Sequence, residues 1–117
     1  MTPDDMKKRT KQFGLDIIRL VETLGNSLAE RIIVGQLVRA ATSVGANYRA
    51  ACRGRSKREF IAKLGIVEEE ADESAYWLEM PVDAKIVAET KVKRLVNEAN
   101  ELTAIAAASF MTAKRSR

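Results

Sequence analysis

Ser43-Val44-Gly45-Ala46-Asn47-Tyr48-Arg49-Ala50-Ala51-Cys52-Arg53-Gly54-Arg55-Ser56-Lys57-Arg58-Glu59-Phe60 is the stretch whose reading decides the fold. Its first half ends one long apolar helix and its second half begins another. Gly54 is a helix-ending signal. Ser56, with Glu59 three residues on, has the pattern of a capping box, in which the serine accepts from the third helical amide and the carboxylate reaches back. Between them the turn is dense in cations. Arg49, Arg53, Arg55, Lys57 and Arg58 stand within ten residues that hold no acid.

Upstream, Ser27-Leu28-Ala29-Glu30 repeats the capping pattern and starts helix two, expected over 28–53. At about 100° per residue, Ile33, Leu37, Val44, Tyr48 and Ala51 fall within about 60° of one another and define a core face. Beside it runs a stripe of mostly small residues, Val34, Val38, Ala41, Gly45 and Cys52, which lets another helix backbone come close. Arg31, Arg39, Arg49 and Arg53 share a third arc of about 80°. A helix apolar on two faces is buried on both, so Val34, Val38, Ala41 and Gly45 are assigned to an oligomer interface. Helix one is expected over 3–24. Thr2-Pro3-Asp4-Asp5 suits a helix start, Phe13, Ile17, Leu20 and Leu24 form its stripe, and Gly25-Asn26 closes it. Lys7, Lys8, Arg9 and Lys11 lie ahead of that stripe.

Downstream, helix three is expected over 57–80, with a seam of Phe60, Leu64, Val67, Ala71, Ser74 and Leu78 at alternating steps of four and three. Ile66 and Trp77 sit off this seam as a second apolar patch and are assigned to the interface. Glu68, Asp72 and Glu79 form an acidic stripe that wants cationic neighbours, from helix two or from another subunit. Pro81 should stop or kink the helix, leaving residues 82–87 as a connection. Helix four is expected over 88–113, on Val92, Leu95, Ala99, Leu102, Ala106 and Phe110, with Lys114, Arg115 and Arg117 suiting the negative end of its dipole. Four amphipathic helices of similar length with short connections make one all-α domain, 1–117: an up-down-up-down antiparallel four-helix bundle. The expected core is Phe13, Ile17, Leu20, Ile33, Leu37, Val44, Tyr48, Phe60, Leu64, Val67, Leu78, Leu95, Leu102 and Phe110.

Composition bounds the function. The chain has 117 residues, no histidine, one cysteine and a net charge of +4. That charge is uneven: residues 1–58 carry twelve Lys/Arg against five Asp/Glu, and residues 59–117 eight against eleven. Such a split suits nucleic acid at one end, or attraction between halves of one chain or of neighbouring copies. The absence of histidine removes the commonest general base. Cys52 reads as a small buried thiol, with activation by Arg49 and Arg53 as the alternative. Glu68, Glu69, Asp72 and Glu73 offer oxygens for a cation such as Mg²⁺, but ion pairing explains them as well. No glycine-rich phosphate loop is present. No enzyme, cofactor or metal site is therefore expected. The acidic N-terminus has no apolar signal region, and the longest apolar or small run, 104–111, falls far short of the roughly 20 residues of a membrane span. A cytoplasmic protein is expected, with no membrane partner.

The run 43–49, the Arg-Ser-Lys-Arg-Glu-Phe of 55–60, Glu70-Ala71-Asp72-Glu73 and Tyr76-Trp77-Leu78-Glu79 together resemble the four-helix-bundle family of 23S rRNA intervening-sequence proteins, over nearly the whole chain. The resemblance implies a homopentamer around a central channel. It also implies kinship with the accessory proteins of diversity-generating retroelements, which bind a reverse transcriptase and nucleic acid. Pro81 and the lack of a serine cap before helix four depart from the family pattern. Two functions follow. In the first, the chain is a nucleic-acid-binding accessory module, contacting RNA or DNA backbone through a rim of Arg49, Arg53, Arg55, Lys57 and Arg58. In the second it is a structural or protein-interaction ring whose arginines pair with the acids of helix three.

Overall fold

The structure, a computed structural model, describes residues 1–116; Arg117, one of the expected dipole-complementing cations, lies outside them. Four helices follow in order: α1 (Pro3–Val21), α2 (Leu28–Cys52), α3 (Lys57–Asp83) and α4 (Glu89–Arg115), with no strand among the described residues. The helices pack in a ring of neighbours. α2 lies against α1 and α3, α3 against α4, and the backbones of α1 and α4 approach least closely of the neighbouring pairs, while those of the diagonal pairs make no close approach. Thr10 and Lys11 approach Gly45 while Gly14 approaches Ala41. Arg39 reaches Glu70 and Glu73, and Gly65 faces Phe110. Rising numbers on one helix meet falling numbers on the next, so sequential neighbours run antiparallel. The result is a rod of 49 × 20 × 19 Å.

Local chemistry explains the helix ends. Thr2 and Asp5 form a full capping box at α1, and Ser27 and Glu30 form one at α2. At α3 only half of the box forms. Ser56 Oγ accepts from the Glu59 amide at 3.1 Å, but the Glu59 carboxylate accepts from the Arg55 amide at 2.7 Å. α1 stops at Val21, short of the expected Leu24. Thr23 Oγ1 donates to the Leu20 carbonyl at 2.6 Å, satisfying an end group by a side chain, and Gly25 has no left-handed backbone.

Pro81 does not stop α3, which continues to Asp83 with Pro81 buried in its last turn. The amide it lacks would have met the Trp77 carbonyl one turn back, and the helix runs on for only two residues past it. The chain then leaves by a Schellman turn. Ile86 N donates to the Pro81 carbonyl at 2.8 Å and Lys85 N to the Val82 carbonyl at 2.9 Å, with Lys85 left-handed at φ 61°. The connection is therefore 84–88. α4 begins at Glu89 with Ala88 as a cap that makes no side-chain bond.

Phe13, Ile17, Leu20, Leu37, Val44, Tyr48, Leu64, Val67, Leu78, Leu95 and Leu102 are buried in one core with Ala71, Ala99 and Ala106. Ile33, Phe60 and Phe110, expected in the core, are only half-buried; all three lie within a few turns of a helix end. The buried hydroxyls of Thr10 and Ser74 donate to the carbonyls four residues back, Met6 and Glu70, so neither is left unpaired.

Candidate nucleic-acid interface

Antiparallel packing brings the start of α1, the α2–α3 turn and the end of α4 to one end of the rod. Pro3, Cys52, Lys57, Phe60, Thr112 and Ser116 line a single groove there. Arg49, Arg53, Arg55, Lys57 and Arg58 are all exposed at this end. Among the described residues none of the five forms an ion pair with a carboxylate. Lys8, Lys11, Lys114 and Arg115 join them on exposed positions of α1 and α4. These four were missed as partners of the turn. The expected topology held the signal, because it puts the N-termini of odd helices beside the C-termini of even ones. Lys114 lies 5.4 Å over the Phe110 ring.

Helix dipoles account for part of this charge. Arg49 stands in the last turn of α2, and Lys114 and Arg115 in the last turn of α4, where cations stabilise the negative end by about 0.3–1 kcal/mol each. Lys57 and Arg58 are different. They open α3, at the positive end of its dipole, and Arg55 stands just before them. The protein gains nothing internally from cations at those positions, and free amides of the first turn point the same way. This corner favours an external anion.

Cys52 is half-buried on the wall of the end groove, more open than the buried thiol expected. It lies beside Tyr48, whose hydroxyl is pushed up to about 12 by burial first and by Cys52 second.

Within the chain the acidic stripe of α3 does not meet the basic arc of α2, the first of the two partners expected for it. Glu68, Asp72 and Glu79 form no ion pair among the described residues. Arg39 instead holds Glu70, at 2.9 Å, and Glu73. Those two hydrogen bonds, Glu70 first, raise the Arg39 guanidinium above its ordinary value. Glu73 also accepts from Trp77 Nε1 at 3.1 Å. No three acidic or cysteine side chains gather as a ligand set among the described residues.

The interface residues divide. Ala41 is fully buried and Gly45 is pressed against α1, where an added Cβ would lie 3.2 Å from the Lys11 amide nitrogen and 3.3 Å from the Thr10 carbonyl oxygen. The close crossing expected between subunits is, at these two residues, a crossing within the chain. Val34 and Val38 are half-buried. Trp77 packs against the core, with Tyr76 edge-on at 5.1 Å, and Ile66 is half-buried.

Fold and end charge define a four-helix-bundle protein with a cationic end. Residues 4–108 match the family described as 23S rRNA-intervening sequence proteins, and the chain belongs to that family. Its structure is similar to the crystal structure of a protein of unknown function from the S23 ribosomal protein family of Bacteroides thetaiotaomicron. The two are 29% identical, with a TM-score of 0.86 over 95% of this chain and 99% of that one. No curated protein matches the chain. No helix among the described residues is long and apolar enough to cross a membrane.

Proposed function

We propose that this chain is a non-catalytic accessory module of the cytoplasm that binds RNA through its basic end and works as a homo-oligomeric ring, a pentamer. The observation that carries the reading is the corner formed by Arg55, Lys57 and Arg58. Three exposed cations stand at a helix N-terminus, where the dipole opposes them; among the described residues none of them ion-pairs with a carboxylate, and Glu59 of the same turn accepts from the Arg55 amide instead. Lys8, Lys11, Lys114 and Arg115 extend the same field.

Recognition is through phosphates. The aromatics near this end, Tyr48, Phe60 and Phe110, are buried or half-buried and leave no platform for stacking bases. Binding is therefore weakly selective for sequence and steeply dependent on salt. Copied around a ring, the corners become a cationic rim. Fluorescence anisotropy with RNA and DNA oligonucleotides of several sequences, across a salt series, tests the reading. Comparable affinities that fall together with salt support it, and no binding at ~0.05 M salt removes it.

A second reading has its own observation. Arg39 clamps Glu70 and Glu73 across α2 and α3, so arginines of this chain do take acids of helix three. In a purely structural ring, Arg49 and Arg53 would do the same with a neighbouring copy and no nucleic acid would bind.

A further inference from the structure

An open groove of about 330 Å³ runs along the outer side of the α1–α2 pair. Gly14 and Gly45 give it a floor, because the two helices cross closely there. Leu15 and Ile18 stand on its α1 wall, 39% and 38% exposed. Lys7, Lys11 and Arg49 line its end nearer the basic corner, and no carboxylate lines it. A cationic groove with two exposed aliphatic side chains fits an acidic amphipathic helix with an apolar anchor.

The chain carries such a helix face. Glu69, Asp72, Tyr76 and Glu79 follow one another at steps of three, four and three on α3, and all are exposed, Tyr76 at 52%. None of the three acids is ion-paired among the described residues. Lengths also agree. At 1.5 Å per residue the face from Glu69 to Glu79 spans about 15 Å, and the groove wall from Lys7 to Ile18 about 16 Å. The face cannot enter the groove of its own chain, because α1 and α3 are diagonal and their backbones make no close approach.

We propose that the α1–α2 groove receives the Glu69–Asp72–Tyr76–Glu79 face of α3 from a second copy. Tyr76 covers Leu15 and Ile18, and the acids meet Lys7, Lys11 and Arg49. Groove and face are different surfaces pointing to different sides of the rod. The contact is therefore head-to-tail and closes into a ring where the rotation permits. This inference rests on the assembly reading above and names the surfaces that make it. It also moves Arg49 and Lys11 from the cationic end to the subunit contact.

Two variants test it by light scattering, each with circular dichroism to confirm its helices. Leu15→Glu with Ile18→Glu spoils the groove, and Tyr76→Lys spoils the face. Each should run as a 13.0 kDa monomer. An equimolar mixture should form one heterodimer of about twice that mass, since each variant keeps the surface that the other lacks, and should go no further. Should either variant lose helicity, the milder Leu15→Gln with Ile18→Gln and Tyr76→Gln carry the same test. A native oligomer whose mass survives both variants, or a mixture that stays monomeric, overturns this contact and leaves assembly standing. A monomeric native protein overturns both. A monomeric native protein that instead binds an acidic helical peptide, lost in the groove variant, assigns the groove to a foreign partner.

Discussion

The Arg9 guanidinium grips the Glu98 carboxylate with two hydrogen bonds, Nε to Oε2 at 2.8 Å and Nη2 to Oε1 at 2.7 Å. Nη2 also lies 2.9 Å from Glu101. These bonds, Glu98 first, hold the Arg9 guanidinium above its ordinary value. They join α1 to α4, the neighbouring pair whose backbones approach least closely. One heptad further along α1 Asp16 meets Arg94 at 3.5 Å, and one heptad beyond that, just past the helix end, the Thr23 carbonyl accepts from Lys91 at 3.4 Å. Polar side chains bridge this seam at three levels, where α2 and α3 are bridged by Arg39 alone among the described residues. With both side chains about three-quarters covered, Glu98→Ala should cost roughly 1–2 kcal/mol. Arg94→Ala, on a largely exposed partner, should cost about 0.5 kcal/mol or less. Urea unfolding of the two variants checks the order; equal losses would contradict it.

Two glycines of α2 should respond oppositely to alanine. A Cβ at Gly35 meets nothing within 4 Å, whereas one at Gly45 crowds the α1 backbone at 3.2–3.3 Å. Gly35→Ala should stabilise the protein by about 0.5–1 kcal/mol through helix propensity. Gly45→Ala should fall at least about 1 kcal/mol below it, because backbone in a packed crossing yields little. Denaturation midpoints that match between the two would show that the crossing is not tight.

Lys85 holds a left-handed backbone at φ 61°, the position in a Schellman turn where glycine is preferred. Removing the Cβ relieves about 1–2 kcal/mol of strain and costs about 0.5–1 kcal/mol of chain entropy. Lys85→Gly should therefore stabilise by about 0.5–1 kcal/mol, read as a higher urea midpoint with unchanged slope. A lower midpoint would mean that the lysine side chain contributes more than its backbone strain costs.

Periodicity carried most of this fold, and it failed where tertiary context decides. Leu64, Val67 and Leu78 were legible because their spacing alone selects one face. The partners of Arg39 were not. The core seam sets the rotation of α3 about its axis and turns Glu70 and Glu73 toward α2, leaving Glu68, Asp72 and Glu79 without an ion pair among the described residues. Small residues announced a close crossing correctly but could not name its partner, which at Ala41 and Gly45 is α1. Pro81 misled because the donor it lacks and the clash it makes both fall on the turn before it, so the helix can run on past it, here to Asp83. Of the candidate site, the turn 49–58 was visible as a charge run. The contribution of Lys8, Lys11, Lys114 and Arg115 came only with the folding-back of four helices.

Tyr48 gives the protein an alkaline limit. Burial beside Cys52 pushes its hydroxyl up to about 12, against about 10 in the unfolded chain. A raised acid is neutral in the fold, so its contribution is fully present below pH ~10 and is lost as pH rises through about 12. Stability should fall across that window, and Tyr48→Phe should flatten the fall. A Tyr48→Phe variant with the native pH profile would place the alkaline sensitivity elsewhere.

The central claim is that the corner of Arg55, Lys57 and Arg58 holds phosphates. Affinity for RNA should be measured across a salt series for the native protein and for Arg55→Ala with Lys57→Ala. Each phosphate contact adds about 0.7–0.9 to the slope of log affinity against log salt. The double variant should bind all sequences more weakly and show a slope flatter by up to about two units. Its oligomer mass should not change, since neither side chain lines the groove between α1 and α2. RNA binding with native affinity and native slope in that variant would contradict the claim.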